Sequence, residues 1–192
     1  MTIIPWTPMG SLTRLIFTSL LSAASLSFSA CSLALPQWII HEHLTSDTLL
    51  GMSRVCTEGV CHNEVISEYF SYTLILMCIS MLVQLTTLLS LLMDVRSHVL
   101  NVEGLCQWDI VAKFGVCSSL ASLCIASFLF AWGVQESADR YGGNFELNFV
   151  IFKTQFYNNG LIAKAGMSHF FLSASIVLNV CTLFPLMGSS IL

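Results

Sequence analysis

The chain has 192 residues, of which 55% are hydrophobic and only 9% are charged; its formal net charge is −4 and its mean hydropathy is +0.79. Such a composition lies outside the range of soluble globular proteins, so we expect a membrane protein. The small negative charge offers no basic surface for nucleic acid, and the sequence contains no phosphate-binding glycine loop, dinucleotide fingerprint, zinc-protease motif or serine-hydrolase motif.

Four apolar stretches are long enough to cross a bilayer as helices, because a hydrocarbon core about 30 Å thick requires about 20 helical residues. They cover residues 15–35, 70–93, 110–134 and 166–186. Two long loops, 36–69 and 135–165, alternate with a short loop at 94–109, whose length favours antiparallel neighbours. The sequence therefore predicts one domain, an all-α membrane protein built as a four-helix transmembrane bundle.

The first stretch carries small residues at four-residue spacing, Ser19, Ala23 and Ser27, which predicts a face where another helix approaches closely. An alternative interpretation is a cleaved signal peptide, because the Phe-Ser-Ala-Cys run at 28–31 resembles a poor lipoprotein cleavage site. The stretch is longer than a usual signal-peptide core, and we therefore expect a spanning helix.

The third stretch shows the same spacing at Ser118, Ser122 and Ala126, again typical of a helix-packing face. In the second long loop, apolar residues alternate with others over residues 145–151, a period-2 pattern that predicts a β-strand. Gln84 and Asn179 are the polar residues deepest in the spans, and we expect each to hydrogen-bond to a neighbouring helix for about 1 kcal/mol.

No Asp, Glu, Lys or Arg lies near the middle of any predicted span. Transporters, proton relays and intramembrane hydrolases place ionisable groups there, so the sequence disfavours a catalytic or pumping role. The Lys and Arg count does not decide the orientation. Of the eight cysteines only Cys56 and Cys61 share a loop, and an oxidised pair there would place that loop outside the cell.

The loop between the first two stretches holds specially spaced residues: Trp38 in a Pro-Gln-Trp step, then Gly51, Met52, Ser53, Arg54 and Cys56, and finally Cys61. With four spans, this pattern resembles the claudin superfamily, which includes claudins, peripheral myelin and epithelial membrane proteins, the lens fibre membrane protein and calcium-channel gamma subunits. The short gap after Trp38 and the Arg54-x-Cys56 step are most similar to the lens-protein and gamma-subunit branches. The chain departs from the family at Met52 and Ser53, where the family has Leu-Trp.

The resemblance implies a small extracellular antiparallel β-sheet, stapled by a disulfide between Cys56 and Cys61 and completed by a strand of the second loop, with Trp38 at its base. It also implies a plasma-membrane protein with both termini cytoplasmic. Two functions follow from it: a noncatalytic protein of cell contacts or membrane organisation, or an auxiliary subunit of a channel or receptor. In the second case Ser118, Ser122 and Ala126 would face the partner protein. An enzyme or transporter is a third and weaker hypothesis.

Several local features have a plain and a functional interpretation. A zinc site from His41, His43, Cys56 and Cys61 is chemically conceivable, but the spacing fits no known finger and we expect no metal or cofactor. A pH-responsive histidine surface is the other alternative to plain solvated side chains.

Two further features concern modification and partners. Cys106 lies beside a membrane entry and is a candidate for palmitoylation. The ending Ser190-Ile191-Leu192 fits PDZ domains, although the tail after the last span is short. The expected partners are the lipid bilayer and other membrane proteins.

Overall fold

The structure, a computed structural model, describes residues 11–35, 38–42, 47–50, 55–57, 60–62, 68–100, 108–140, 155–158 and 161–187. Its four helices are α1 (Ser11–Ala34), α2 (Glu68–Leu100), α3 (Trp108–Arg140) and α4 (Met167–Met187). All four are long and apolar enough to cross a membrane. The predicted four-helix plan is therefore confirmed, and the chain is described below as a multi-pass membrane protein.

α2 and α3 extend beyond the predicted spans. Each has 33 residues, which corresponds to a length of about 50 Å against a hydrocarbon core of about 30 Å. The last part of α2 carries Asp94, Arg96 and His98; these side chains stop the apolar stretch without stopping the helix. Much of the predicted loop at 94–109 is consequently helical.

The helices run up and down in sequence order around the bundle, with α1 packed on α2 and α4, and α3 packed on α2 and α4. Hydrogen bonds join Ser32 to Ser168 and Ser25 to Ser175, so α1 and α4 are antiparallel. α1 and α3 end, and α2 and α4 begin, at the end of the bundle where Trp38 lies. We call this the sheet end.

The described parts of the two long loops contain six short strands: β1 (Ile39–Glu42), β2 (Asp47–Leu50), β3 (Val55–Thr57), β4 (Val60–His62), β5 (Gln155–Asn158) and β6 (Leu161–Ala165). All the pairings are antiparallel, in the order β4-β3-β2-β1-β6-β5. β1 pairs with β6, Ile39 opposite Ala165 and Glu42 opposite Ile162, and this pairing joins the two loops. The strand predicted at 145–151 lies outside the described residues.

The core of the bundle has two apolar layers. The layer near the sheet end contains Trp38, Phe70, Met77, Leu123, Ala126, Phe130, Val134 and Leu172. The layer near the opposite end contains Leu91, Ala112, Val116 and Leu186. Between them lie buried Gln84, Ser25, Ser175 and Asn179, so the middle of the bundle is polar rather than apolar.

Candidate functional site

Trp38 links the loops to the bundle. It lies between the end of α1 and the start of β1 and is only 1% exposed. Its backbone carbonyl accepts a hydrogen bond of 3.0 Å from the Gly166 amide, just before α4. Its ring lies against Phe130 of α3, with the ring centroids 4.7 Å apart. A single residue therefore contacts the start of one helix and the end of another.

Phe130 is the centre of an aromatic cluster under the sheet. Besides Trp38, it stacks on Phe70 of α2 at 5.4 Å and on His169 of α4 at 5.9 Å between ring centroids. His169 Nδ1 is buried, and no hydrogen-bond partner for it exists among the residues that the structure describes. The cluster is predominantly apolar, and it seals the sheet end by packing rings from three helices and the loop.

A second connection at the sheet end is made by hydroxyl groups. Ser168 Oγ donates to the Leu35 carbonyl at 2.8 Å, and Ser32 Oγ donates to the Ser168 carbonyl at 2.7 Å. The Leu35 carbonyl lies just past the C-terminal end of α1, where carbonyl groups lack intrahelical partners. These bonds fix the exit of α1 relative to the entry of α4, and therefore the spacing of β1 and β6.

The interface of α1 with α4 continues as a polar seam down the bundle. The buried positions of α1 are all hydroxyl residues, namely Thr18, Ser19, Ser22, Ser25, Ser29 and Ser32, and α4 contributes buried Ser168, Ser175, Asn179 and Thr182. Apart from Ser19, the α1 positions follow steps of three and four residues, as one face of a 3.6-residue helix requires. Small hydroxyl side chains let the two backbones approach closely while satisfying their polar groups within the bundle.

Five side chains in the middle of the bundle form what we call the polar node: Ser25, Ser29, Gln84, Ser175 and Asn179. Ser175 Oγ lies 2.9 Å from Ser25 Oγ and 2.7 Å from Ser29 Oγ. Asn179 Nδ2 donates to Ser25 Oγ at 2.8 Å, and Gln84 Nε2 donates to the same oxygen at 3.3 Å. The expectation that Gln84 and Asn179 bond to neighbouring helices is confirmed.

The serines of the node were not singled out in the sequence. Ser22, Ser25, Ser29 and Ser32 follow the 3-4-3 spacing of a single helix face. That spacing was the feature of the sequence that could have indicated the node. Serine is common in membrane helices, however, and only its hydrogen-bond partner on α4 shows that this face is an interface. The node contains hydroxyls and neutral amides and no general base among its five members, so it is suited to holding helices together rather than to activating a nucleophile.

The predicted packing face of α1 differs from the observed one. Ser19 is buried, Ala23 is half-buried and Ser27 is exposed, with Ser27 Oγ donating back to the Ala23 carbonyl at 2.9 Å. Strict four-residue steps rotate around a helix by roughly 40° per step, because each residue turns about 100°. The face that begins at Ser19 therefore drifts out of the interface, and Ser25 and Ser29 occupy it instead.

On α3, the predicted face is likewise displaced. Ala126 is buried, whereas Ser118 and Ser122 are half-buried, with Ser122 Oγ bonded to the Ser118 carbonyl at 2.9 Å. The neighbouring Ser119 is the residue that reaches α2, where its Oγ lies 3.0 Å from Ser80 Oγ. The structure thus leaves Ser118 and Ser122 beside the helix interface rather than in it.

Only some of the loop residues that the sequence singled out lie among the described residues. The β3–β4 register places Cys56 directly opposite Cys61, whereas Gly51, Met52, Arg54, Cys106 and the 190–192 tail lie outside the described residues. Within the described part of the chain, no three His, Cys, Asp or Glu residues are grouped as metal ligands would be. The cysteines of the helices, Cys31, Cys78, Cys117, Cys124 and Cys181, are free thiols on the outer surface of the bundle.

The site as a whole is a sheet attached to a helix bundle through Trp38, with a polar seam beneath it. A scan against protein-family models finds no match to the chain, and neither does a search of curated proteins.

Proposed function

We propose that the chain is a noncatalytic, claudin-like tetraspan of the plasma membrane, with both termini cytoplasmic. In this proposal an extracellular sheet makes contacts between cells or organises proteins within one membrane. The observation that carries the proposal is the pairing of β1 with β6, reinforced by the bond between the Gly166 amide and the Trp38 carbonyl. Because both loops enter one sheet, the end of the bundle presents one surface instead of two independent loops.

A disulfide between Cys56 and Cys61 is part of this proposal. The two residues are direct cross-strand partners, and such partners have Cα atoms about 4.5–5.5 Å apart, within the range of about 4.4–6.8 Å that disulfides span. The bridge would close a small loop and stabilise the β3–β4 hairpin by about 2 kcal/mol. Disulfides persist outside the cytosol, so the bridge and the extracellular sheet support each other.

The orientation can be tested separately with an impermeant maleimide on intact cells that express the full chain. We expect new labelling only after mild reduction, and loss of that labelling in a Cys56→Ser/Cys61→Ser variant. In this proposal the exposed thiols of the helices face lipid and serve as an internal control, since the reagent does not enter the bilayer. Labelling without reduction would contradict the disulfide, and no labelling after reduction would contradict the extracellular position.

The contact function is tested by mixing cells that express a fluorescent full-length fusion with cells that lack it. We expect the protein to be enriched several-fold at borders between two expressing cells relative to borders with non-expressing cells. The Cys56→Ser/Cys61→Ser variant should lose most of this enrichment while still reaching the surface. Equal intensity at both kinds of border, together with no co-purified membrane partner, would refute the proposal.

An auxiliary subunit of a channel or receptor is the second candidate, and one feature of α3 favours it. Ala121 is exposed on the outer surface, flanked by half-buried Ser118 and Ser122. This small-residue flank would admit a helix of another protein at close range. Ala121→Phe should abolish co-purification with such a partner and leave border enrichment intact, whereas unchanged currents in every co-expressed channel would count against this candidate.

A further inference from the structure

Gln84 reaches from α2 into the interface between α1 and α4. The side chain is 2% exposed, and its Nε2 donates to Ser25 Oγ at 3.3 Å and to Ser175 Oγ at 3.4 Å. Its carbonyl oxygen, Oε1, is buried and has no hydrogen-bond partner among the residues that the structure describes. A buried amide oxygen is a strong acceptor, and such groups nearly always receive a donor.

The hydroxyl protons of the polar node can all be assigned without involving Gln84 Oε1. Ser25 Oγ donates to the Ser175 carbonyl at 3.1 Å, and Ser175 Oγ donates to the Ser25 carbonyl at 3.0 Å. Ser29 Oγ then donates to Ser175 Oγ across 2.7 Å. Each of the three hydroxyls has one proton and each proton has an acceptor.

The same assignment fixes the orientation of the Gln84 amide. Ser25 Oγ accepts from Asn179 Nδ2 and Gln84 Nε2, and Ser175 Oγ accepts from Ser29 Oγ and Gln84 Nε2, which fills the two lone pairs of each oxygen. Rotating the Gln84 amide by half a turn would place Oε1 beside the Ser25 and Ser175 hydroxyls and turn the NH2 group, which carries two protons, away from them. It would also remove both acceptors of the NH2 group. The unpaired atom is therefore the carbonyl oxygen.

We propose that Gln84 Oε1 is the primary acceptor of an internal binding site for one water molecule. Water is the smallest hydrogen-bond donor, and buried waters characteristically satisfy such leftover polar groups. Ser80 and Thr87, four residues before and three residues after Gln84, lie on the same face of α2 and are buried. Their hydroxyl oxygens have lone pairs that can accept the second hydrogen of the water.

This site gives the middle of the bundle a specific role. The two apolar layers end on either side of Gln84, so the water is enclosed between them and exchanges slowly with the solvent. It completes the hydrogen bonding of Gln84, the α2 residue whose Nε2 bonds Ser25 and Ser175 in the seam. The inference is independent of the proposed contact function, because it concerns the bundle and not the sheet.

The test uses the full-length protein in lipid nanodiscs with its glutamines labelled with 13C at the side-chain carbonyl. The infrared difference between the wild type and Gln84→Met isolates the Gln84 band; Gln84→Asn serves for subtraction where the Met variant does not fold. We expect the lower wavenumber of a hydrogen-bonded carbonyl. The higher wavenumber of a free amide carbonyl in an apolar medium would overturn the proposal.

The donor is then identified by NMR on a sample labelled with 15N at the glutamine side-chain amides. We expect a rotating-frame cross-peak between the Gln84 NH2 protons and water, with sign opposite to the diagonal, as a bound water near this amide gives. A hydrogen-bonded carbonyl band without this cross-peak would mean that a protein group is the donor, and it would also overturn the proposal.

Discussion

Two of the helix interfaces of the bundle, α1 with α4 and α2 with α3, are built differently. The contact of α1 with α4 relies on hydroxyl pairs, Ser25 with Ser175 and Ser32 with Ser168, and on the Asn179 amide. The contact of α2 with α3 relies on close approach of the backbones. Lipid chains are as apolar as leucine, so neither interface gains much from burying hydrocarbon, and each must use packing or hydrogen bonds.

The α2–α3 interface depends on glycine at two levels. A Cβ atom on Gly115 would collide with Thr87 Oγ1, and one on Gly133 would lie 2.9 Å from the Tyr69 Cβ atom and 3.2 Å from Phe70 Cε1. Its described hydroxyl pair is Ser80 with Ser119, at 3.0 Å. α1, the least apolar of the four spans, is therefore held in the bundle by hydrogen bonds, whereas α2 and α3 are held together by close packing.

The largest effect is expected where the two interfaces meet, at Trp38. Trp38→Ala should lower the free energy of unfolding by about 3–5 kcal/mol, because a fully buried ring and its contact with Phe130 are lost. The measurement is reversible unfolding in mixed micelles. Trp132→Ala is the matched control, since Trp132 is 52% exposed; equal losses in the two variants would show that burial of Trp38 does not hold the sheet end.

The close packing of α2 against α3 should be sensitive to the addition of a single methyl group. Gly115→Ala should destabilise the bundle by about 1–3 kcal/mol through overpacking against Thr87. The double variant Gly115→Ala/Thr87→Ala should recover part of that loss, because it removes the colliding oxygen. A double variant that loses as much stability as the two single changes added together, or more, would contradict the close approach of Gly115 to Thr87.

The bond-based interface is tested at Ser25. Ser25→Ala removes the acceptor of the Asn179 and Gln84 amides and should cost about 1–2 kcal/mol in unfolding free energy. Ser27→Ala, on the exposed side of the same helix, should change stability by less than about 0.5 kcal/mol. If the two variants behave alike, hydroxyls do not hold α1 in the bundle.

The smallest change in stability is expected at the hydroxyl contact between α2 and α3. Ser80→Ala removes the described hydroxyl contact between α2 and α3 and should lower the unfolding free energy by about 0.6 kcal/mol, the average for such bonds in membranes. Its effect on stability should therefore be smaller than that of Ser25→Ala under the same unfolding conditions. The reverse order would mean that hydrogen bonds dominate both interfaces.

The helix count and the approximate span positions could be predicted because they depend on local composition. About 20 consecutive apolar residues without charge have one stable arrangement in lipid, and this holds for each segment separately. The polar character of Gln84 and Asn179 was also visible in the sequence. The extracellular position of the sheet and the bridge between Cys56 and Cys61 stay predictions, since both depend on the side of the membrane.

The helix ends and the packing faces were decided by the tertiary structure. The charges near Asp94 mark the edge of the apolar stretch, but a helix satisfies its own backbone on either side of that edge, so α2 continues to Leu100. The partners of Ser25 lie far away in sequence, and a small-residue spacing alone does not say which side of α1 meets α4.

The sequence by itself determined that the protein resides in a lipid bilayer and how many helices can span it. The free energy of transfer into lipid is a property of each segment separately. What only the tertiary structure decided is the contact of hydroxyls on α1 with those on α4, and the burial of the Gln84 carbonyl oxygen away from every donor in the described residues. Hydrogen bonds between helices are directional and short, so a rotation of one helix by a single residue exchanges one set of partners for another.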